Sequence, residues 1–352
     1  MRKATSLCCN VQLDDDPSWT QASLPLRFGG LGVRRLADVA LPAYIASLEA
    51  SRDLVCTINR RPNGDRPARF DSALAMFRNT QCPDLNIELG LQQRTLDGAA
   101  SQHRLDDLLA RANQVERARL LAAKAPHSGA WLSAIPVESL GLLLPDDAVR
   151  VNVALRLGLR VQQPHRCRCG ASTDAFGHHS LSCQRNPGRL PRHAALNDVV
   201  YRALAAAGVV ATLEPRGLDR GDGRRPDGIT IFPYRQGRML MWDATCVNTF
   251  CSTHINECAI TAGAAARAAE DRKRRRYEVI AQRYDFAPLA VETSGVLGPA
   301  FSELVLDIGT RVRQRTGEPR ETAWLRQRVS LAVARGNAAA ICGPHPMLRG
   351  AH

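Results

Sequence analysis

Metal-binding residue types are concentrated in one short stretch, CRCGASTDAFGHHSLSC, which constrains the fold more than any other part of the sequence. Five potential ligands lie within seventeen residues: Cys167, Cys169, His178, His179 and Cys183. Thiolates and imidazoles at this density are typical of a tetrahedral zinc site, and glycines between them let the chain turn around an ion. Three cysteines and one histidine would close the shell, so the sequence predicts a structural zinc site.

The fourth ligand of this site stays open at the level of sequence. His179 and Cys183 are four residues apart and share a helical face, whereas His178 offers a five-residue offset. The C-x-C opening is also tighter than the usual C-x2-C spacing of zinc sites. A pair of core cysteines beside exposed histidines is the alternative interpretation.

The sequence carries no signal of secretion or of a membrane span. It has eleven cysteines, lacks an apolar run of about 18 residues, and begins with MRKATSLCCN, which has no apolar segment before a cleavage-like site. We therefore expect an intracellular protein that does not enter a membrane. In that compartment clustered cysteines indicate metal sites rather than disulfides.

The charge of the chain favours a nucleic-acid partner. The formal net charge is +13, and almost all basic residues are arginines, since the only lysines are Lys3, Lys124 and Lys273. A guanidinium group is always charged and matches two phosphate oxygens, which makes nucleic acid the leading class of partner. A GC-rich genome would also enrich arginine and alanine, so charge alone does not decide the partner.

Hydrophobic periodicity divides the chain into a helical part and a mixed part. Helical patterns cover residues 36–48, 91–123 and 137–158, with the loop RRPNGDRPARF between the first two. Beyond residue 164 the predicted order is α-β-β-β-α-β-α, and a last helix follows. The helices are predicted at 192–207, 260–284, 299–316 and 321–335, and the strands at 209–213, 229–232, 238–242 and 286–292. The expected fold class is α+β.

Two aspartates lie at corresponding ends of the predicted hairpin. In RRPDGITIFPYRQGRMLMWDAT, Asp227 precedes the first strand and Asp243 follows the second, so both carboxylates are expected at one end of the sheet. Facing carboxylates repel unless a cation lies between them, and Mg²⁺ prefers such oxygen ligands. A pair of exposed strand-end aspartates without chemistry is the alternative.

One lysine lies where a metal-dependent phosphodiesterase would use it. Such an enzyme combines carboxylates with a lysine that positions the attacking water, yet the residue two positions after Asp243 is Thr245. Lys273, in AAEDRKRRRY on the next predicted helix, is the candidate replacement, because an ammonium group can lose its proton and a guanidinium group cannot. A solvated helix face is the alternative interpretation.

Several stretches together resemble the C-terminal half of a non-LTR retrotransposon polyprotein. In that family a reverse transcriptase is followed by a Cys/His zinc knuckle and a restriction-like endonuclease of the PD-(D/E)xK superfamily. The resemblance extends from residue 20 to the end, and several motifs together are more specific than any one. The matching stretches are SLPLRFGGLGVRRLADVALPAYIASL, CRCG, GHHSLSC, GRLPRHAALND, RRPDG, WDAT, AEDRKRRRY, LAVETSGVLGPA and QRVSLAVARGNAAAICG.

The resemblance implies four regions. Residues 1–160 are similar to the helical region that follows the polymerase core, with the polymerase palm absent. Residues 161–190 correspond to the zinc knuckle, and residues 191–318 to the nuclease with its α-β-β-β-α-β core. Residues 319–352 correspond to a C-terminal helix and tail.

The resemblance also implies a site and a function. Asp227 and Asp243 would hold a catalytic Mg²⁺ and Lys273 would act from the helix, while Glu214 of LEP is a weaker candidate for a supporting acid. The implied protein is a nuclear DNA endonuclease that nicks a target site, with DNA and element RNA as partners. The alternative is a zinc-containing nucleic-acid-binding remnant that has lost cleavage. The sequence indicates no oligomeric state.

Overall fold

A computed structural model describes residues 1–60, 66–86, 90–215 and 225–343 of the chain. These residues form a mixed α+β structure, mostly helical, with one four-stranded sheet, as the sequence predicts. Among the described helices, none is long and apolar enough to cross a membrane. The centre of the predicted loop RRPNGDRPARF and the predicted tail beyond residue 343 lie outside the described residues.

The chain forms two compact units, each with its own hydrophobic core. The first unit contains Met1–Thr5 and Leu13–Ala112, and the second contains Ser6–Gln12 and the residues from Asn113 onward. The residues of the first helix, α1 (Arg2–Cys9), are divided between the two units.

The first unit is helical, in agreement with the sequence analysis. Helix α3 packs against α4 and α5 around a buried core. Helix α4 is not predicted from the sequence, although its buried residues Phe70, Leu74 and Phe77 have helical spacing. The helices of this unit are α2 (Asp16–Ser23), α3 (Leu36–Ile58), α4 (Ala68–Thr80) and α5 (Gln93–Arg111).

The second unit contains the sheet and nine described helices. The strands are β1 (Ala211–Leu213), β2 (Gly228–Thr230), β3 (Leu240–Val247) and β4 (Asp285–Glu292). The helices are α6 (Gln114–Lys124), α7 (Asp146–Leu157), α8 (His178–Ser182), α9 (Arg189–Ala206), α10 (Ile255–Cys258), α11 (Ala264–Arg276), α12 (Glu278–Ala281), α13 (Pro299–Thr316) and α14 (Glu321–Cys342).

The sheet has the order β1-β2-β3-β4. β1 pairs with β2 and β2 pairs with β3 in antiparallel fashion, whereas β3 and β4 are parallel. Within the hairpin Gly228 lies opposite Trp242, and along the parallel pair Asp243 lies opposite Pro288. A parallel pair requires a crossover connection, and α10, α11 and α12 lie in the segment that connects β3 to β4.

Side-chain alternation along β3 assigns its two faces to different helices. Leu240, Trp242 and Ala244 join a core that also contains residues of α9, α13 and α14. The intervening residues point the other way, where Val247 packs with Ala266 and Ala269 of α11. Asp243 has the same parity as Val247, so its side chain lies on the α11 face of the sheet.

Several predicted elements are wrong in extent: the predicted helix 137–158 is an α-helix only over Asp146–Leu157, and the predicted helix 321–335 continues to Cys342. The returning strand continues to Val247, so Asp243 lies within β3 and not after its end. The predicted helix 260–284 is divided: α11 begins after Gly263, which has a positive φ of 82°, and ends at Arg276, where Tyr277 separates it from α12. The predicted helix 91–123 is divided at Asn113, whose side chain forms a capping box with Glu116 at the start of α6.

Candidate active site and metal centre

The β2–β3 hairpin brings the two predicted aspartates together. The Asp227 backbone N–H donates to the carbonyl of Trp242 at 3.0 Å, and Gly228 lies opposite Trp242, so Asp227 lies beside Asp243 across the hairpin. Gly228 makes this approach possible, because a Cβ at this position would lie 2.0 Å from the Trp242 ring. The small residue after Asp227 is therefore a requirement of the packing.

Asp227 is anchored through one of its oxygens. Its Oδ2 accepts the backbone N–H of Ala244 at 2.6 Å and lies 3.0 Å from Nε2 of His193 on α9. Burial alone would raise the pKa of the Asp227 carboxyl, but the hydrogen bonds from His193 and Ala244 outweigh burial and hold the pKa below its usual value. Asp227 is therefore a fixed carboxylate.

Lys273 contacts the second carboxylate from α11. Its Nζ lies 2.5 Å from Oδ1 of Asp243, and the two side chains are only 13% and 11% exposed. Ala266, Ala269 and Lys273 share the face of α11 that packs on the sheet, which directs the lysine toward β3. Burial raises the pKa of Asp243; Lys273 opposes that shift, while the negative charge of Asp227 adds to it.

A fourth side chain, His193, lies beside Asp227, Asp243 and Lys273, and the sequence analysis missed it. One ligand atom each from His193, Asp227 and Asp243 lies within 4.8 Å of the others, so the group could hold a metal ion. The hydrogen bond to Asp227 raises the pKa of His193. The sequence signal is the placement of His193 in GRLPRHAALND, one turn before Asn197, whose buried side chain accepts the indole N–H of Trp242.

Glu214 is not brought into this group. Its backbone N–H donates to the carbonyl of Asp227 at 2.8 Å, but its side chain is exposed and pairs with Arg225. Glu214 also has a positive φ of 48°, which turns the chain away from β1. The structure therefore places Glu214 beside the site without contributing its carboxylate.

Four of the five predicted zinc ligands converge in a second group. Cys167 Sγ lies 3.7 Å from Cys183 Sγ, and Cys169 Sγ lies 3.2 Å from His179 Nε2. Four ligands around zinc with Zn–S bonds of about 2.3 Å place two sulfurs about 3.8 Å apart. The Cys167, Cys169, His179 and Cys183 group is therefore a possible metal site compatible with zinc.

The choice between the two histidines follows from the short helix α8. Gly177, with a positive φ of 76°, begins α8 and directs His179 toward the cysteines. The ring of His178 points away, 4.7 Å from the ring of Phe250 and 3.6 Å from an oxygen of Asp174. Burial lowers the pKa of His178, as expected for a ring packed against aromatic neighbours.

The thiols of the zinc-compatible group differ in their environments. A hydrogen bond from the Ala171 backbone is the main cause that lowers the pKa of Cys169 to about 7. Burial raises the pKa of Cys183. A thiolate is the form that binds metal, so the lowered pKa of Cys169 favours metal binding by this residue near neutral pH.

Comparison with known proteins gives one relevant similarity. No protein-family model matches the chain. Over 282 residues, or 78% of the chain, it is 25% identical to the protein described as "Retrotransposable element SLACS 132 kDa protein" from Trypanosoma brucei gambiense. The chain spans about a fifth of the length of that relative, since the match covers 20% of it. The similarity supports a retrotransposon-derived origin and distinguishes no domain.

Proposed function

We propose that this retrotransposon-derived chain is a metal-dependent DNA endonuclease that nicks duplex DNA by phosphodiester hydrolysis. The observation that carries the proposal is the contact of Lys273 with Asp243, 2.5 Å apart, in the same group as Asp227. Carboxylates that can share an ion, with a lysine at the same position, form the minimal set for metal-assisted hydrolysis of a phosphodiester.

The arrangement of the elements is consistent with the PD-(D/E)xK resemblance. Helix α9 is followed by β1, β2 and β3, then by α11 and β4, in the α-β-β-β-α-β order that the resemblance implies. In this proposal Asp227 supplies the PD aspartate and Asp243 the second acid. Lys273 takes the part of the missing strand lysine, with Thr245 in its place on β3.

The donor set suits a hard divalent cation such as Mg²⁺. Asp227 and Asp243 each offer a carboxylate oxygen within 4.8 Å of the other, so both carboxylates can reach one ion. A bound Mg²⁺ would neutralise the scissile phosphate and lower the pKa of a coordinated water. Asp227 and Asp243 would fix the position of the phosphate, and Lys273 would orient the attacking water.

The buried position of Lys273 matters for this role. Its ammonium group is held against Asp243 with little solvent around it, so it stays in place without a substrate. An arginine would spread its charge over a planar group and could not give up a proton. Lys273 thus opposes the rise in the pKa of Asp243 and, in this proposal, also contacts the attacking water.

The zinc-compatible group has a structural role in this proposal. Four protein ligands close the coordination shell and leave no position for a reacting water. The knuckle is tied to the rest of the second unit, because the Asn248 side chain donates to the His178 carbonyl at 2.9 Å and Asn186 donates to the Ala340 carbonyl at 2.6 Å. Zinc would thus hold a segment that supports the end of β3 and α14.

DNA binding would use exposed arginines on both sides of Lys273 along α11. Arg272, Arg275 and Arg276 are exposed on this helix, and we refer to them as the α11 arginines. A phosphate backbone bound by them would run beside the carboxylates. The proposed partners are nuclear DNA and, for the element from which the chain derives, its RNA.

A plasmid-nicking assay tests the proposal. Purified protein is incubated with supercoiled plasmid, with and without Mg²⁺, beside Asp243→Asn and Lys273→Met. We expect open circles only with the metal, and a loss of about 100-fold or more in each variant, since several kcal/mol of transition-state stabilisation would be removed.

The matched control is Asp198→Asn, which changes an exposed aspartate of α9 that pairs with Arg202. This variant should nick the plasmid at the wild-type rate. Nicking that survives Asp243→Asn would come from a contaminating nuclease and would count against the site. DNA binding without nicking in the wild type would support the binding-remnant alternative.

A further inference from the structure

His193 reaches the two carboxylates from an element that the sequence analysis did not connect with chemistry. Its Nε2 lies 3.0 Å from Oδ2 of Asp227, and Asp243 completes a group within 4.8 Å. The His193 side chain is 44% exposed, whereas those of Asp227 and Asp243 are 16% and 11% exposed. The imidazole therefore borders the open side of the site, where an ion would enter.

The spacing in this group is that of neighbouring ligands around one ion. Two ligand atoms at right angles, with metal bonds of about 2.1 Å, lie about 3.0 Å apart. We propose that His193 is a third protein ligand of the same ion, so that the site binds Mn²⁺ in preference to Mg²⁺. This inference rests on the proposed function, because it concerns the ion of the proposed nuclease.

The ligand type is the physical reason for the preference. Mg²⁺ takes oxygen ligands and dehydrates reluctantly, so an imidazole adds little to its binding. Imidazole is a borderline ligand that suits first-row transition metals. The difference in affinity between Mn²⁺ and Mg²⁺ is therefore larger for a site with two carboxylates and one histidine than for two carboxylates alone.

The ring of His193 is held in place on the side away from the carboxylates. Its Nδ1 faces the side-chain amide of Asn197 at 3.5 Å, and Asn197 Oδ1 accepts the indole N–H of Trp242 at 3.1 Å. Trp242 is fully buried, so Asn197 is fixed. These contacts fix the orientation of the ring, with Nε2 directed toward Asp227.

The test measures metal binding without reference to cleavage. Zinc-loaded protein, in which the knuckle is already occupied, is titrated with Mn²⁺ and followed by electron paramagnetic resonance; Mg²⁺ affinity is obtained by competition. We expect His193→Gln to weaken Mn²⁺ binding by about 10- to 100-fold and Mg²⁺ binding by much less. Pulsed measurements should detect a coordinated nitrogen in the wild type and none in His193→Gln.

The matched control is His103→Gln, which changes a partly exposed histidine of α5 that faces Asp107 at 3.7 Å. It should leave both affinities and the nitrogen signal unchanged, and circular dichroism checks that each variant is folded. Mn²⁺ bound without a nitrogen signal, or an equal loss for both ions in His193→Gln, would overturn the inference. The carboxylate site would then stand if Asp243→Asn still removes binding. Absence of Mn²⁺ and Mg²⁺ binding in the wild type would overturn the proposed function as well.

Discussion

Gly228, which follows Asp227 in the candidate site, has no space for a side chain. An added Cβ would meet three ring atoms of Trp242 at 2.0 to 2.5 Å, and this ring is fully buried. The same indole fixes Asn197 through its N–H. Any displacement of Trp242 would therefore also move the amide that lies against His193.

Gly228→Ala should destabilise the protein by about 1–3 kcal/mol, because the buried indole cannot move without disturbing the core. Chemical denaturation in urea measures the change. Gly98→Ala is the control, since Gly98 lies within α5 with only the end of the Arg27 side chain nearby, at 3.3 Å. That substitution should instead stabilise the helix by roughly 0.5–1 kcal/mol. If Gly228→Ala left the free energy of unfolding unchanged, the hairpin would tolerate a larger distance between residue 228 and the Trp242 ring.

At the scale of residues, sequence reasoning could find groups whose chemistry is rare in this chain. Lys273 is conspicuous among arginines, and Asp227 and Asp243 follow a strand pattern that brings them to one hairpin. His193 could not be found in this way, because its contact with Asp227 depends on how α9 packs on the sheet. The choice of His179 over His178 likewise depends on the start of α8 at Gly177.

At the scale of elements, two buried glutamates act as helix caps supplied from elsewhere in the chain. Glu270 of α11 accepts the backbone N–H groups of Ala300 and Phe301 at 3.0 and 3.2 Å, at the start of α13. Glu292 accepts those of Ala265 and Ala266 at the start of α11 at 3.1 and 3.4 Å. Neither helix has a capping side chain of its own at the N-cap position, which is glycine in both. Burial raises the pKa of both carboxyl groups.

Glu270→Ala should lower the free energy of unfolding by about 1–3 kcal/mol, because it leaves the backbone N–H groups of Ala300 and Phe301 without their acceptor. Urea denaturation followed by circular dichroism gives the change in unfolding free energy. Glu303→Ala provides the comparison, since Glu303 lies on α13 itself, is exposed, and pairs with Arg235. Its effect should stay within about 0.5 kcal/mol. Equal effects of the two substitutions would contradict the capping role of Glu270.

The knuckle should lose its metal on acidification. Zinc binds thiolates, and each thiol that must release a proton weakens binding by about tenfold per pH unit below its pKa. The backbone hydrogen bond from Ala171 lowers the pKa of Cys169 to about 7, while burial raises the pKa of Cys183, so Cys183 takes up a proton at a higher pH than Cys169. The stability that zinc contributes is therefore present at high pH and lost as the pH falls. A chromogenic chelator should detect faster zinc release at about pH 5 than at about pH 8.

Cys183→Ser should release zinc at all pH values, and Cys8→Ser, which changes an exposed cysteine far from the knuckle in sequence, should behave as the wild type. Zinc content that does not depend on pH would contradict thiolate ligation.

The elements of the second unit could be predicted where apolar residues recur at regular spacing along one face of a helix or strand. The bounds predicted for α13, 299–316, are confirmed, because Pro299 and Gly317 limit a regular apolar pattern. The division of the predicted helix 260–284 was not predictable, because it depends on Tyr277 being buried against Phe286 of β4. The extension of β3 through Asp243 similarly depends on its pairing with β4.

At the scale of the whole molecule, the net charge of +13 should make DNA binding strongly dependent on salt. Replacing the α11 arginines, Arg272, Arg275 and Arg276, with glutamine should reduce the slope of log affinity against log salt by about 1 for each lost phosphate contact. Fluorescence anisotropy with a short duplex, at several salt concentrations, measures the slope.

A second triple variant controls for the change in total charge. Arg69, Arg94 and Arg111 are exposed arginines of the first unit. Their replacement with glutamine lowers the net charge equally, and the slope should change little if phosphate is bound on α11. Equal slopes for the two variants would show that the positive charge acts as a diffuse field.

The parallel pairing of β3 and β4 has a consequence for the order of events during synthesis. Asp243 lies on β3, but Lys273 lies in the crossover on α11, which packs on Ala290 of β4 through Ala266 and Ala269. A growing chain on the ribosome carries both residues before β4 has emerged, yet lacks the strand that holds them together. Long-range parallel pairing also forms slowly. The candidate site would therefore stay incomplete until β4 has been synthesised and has paired with β3.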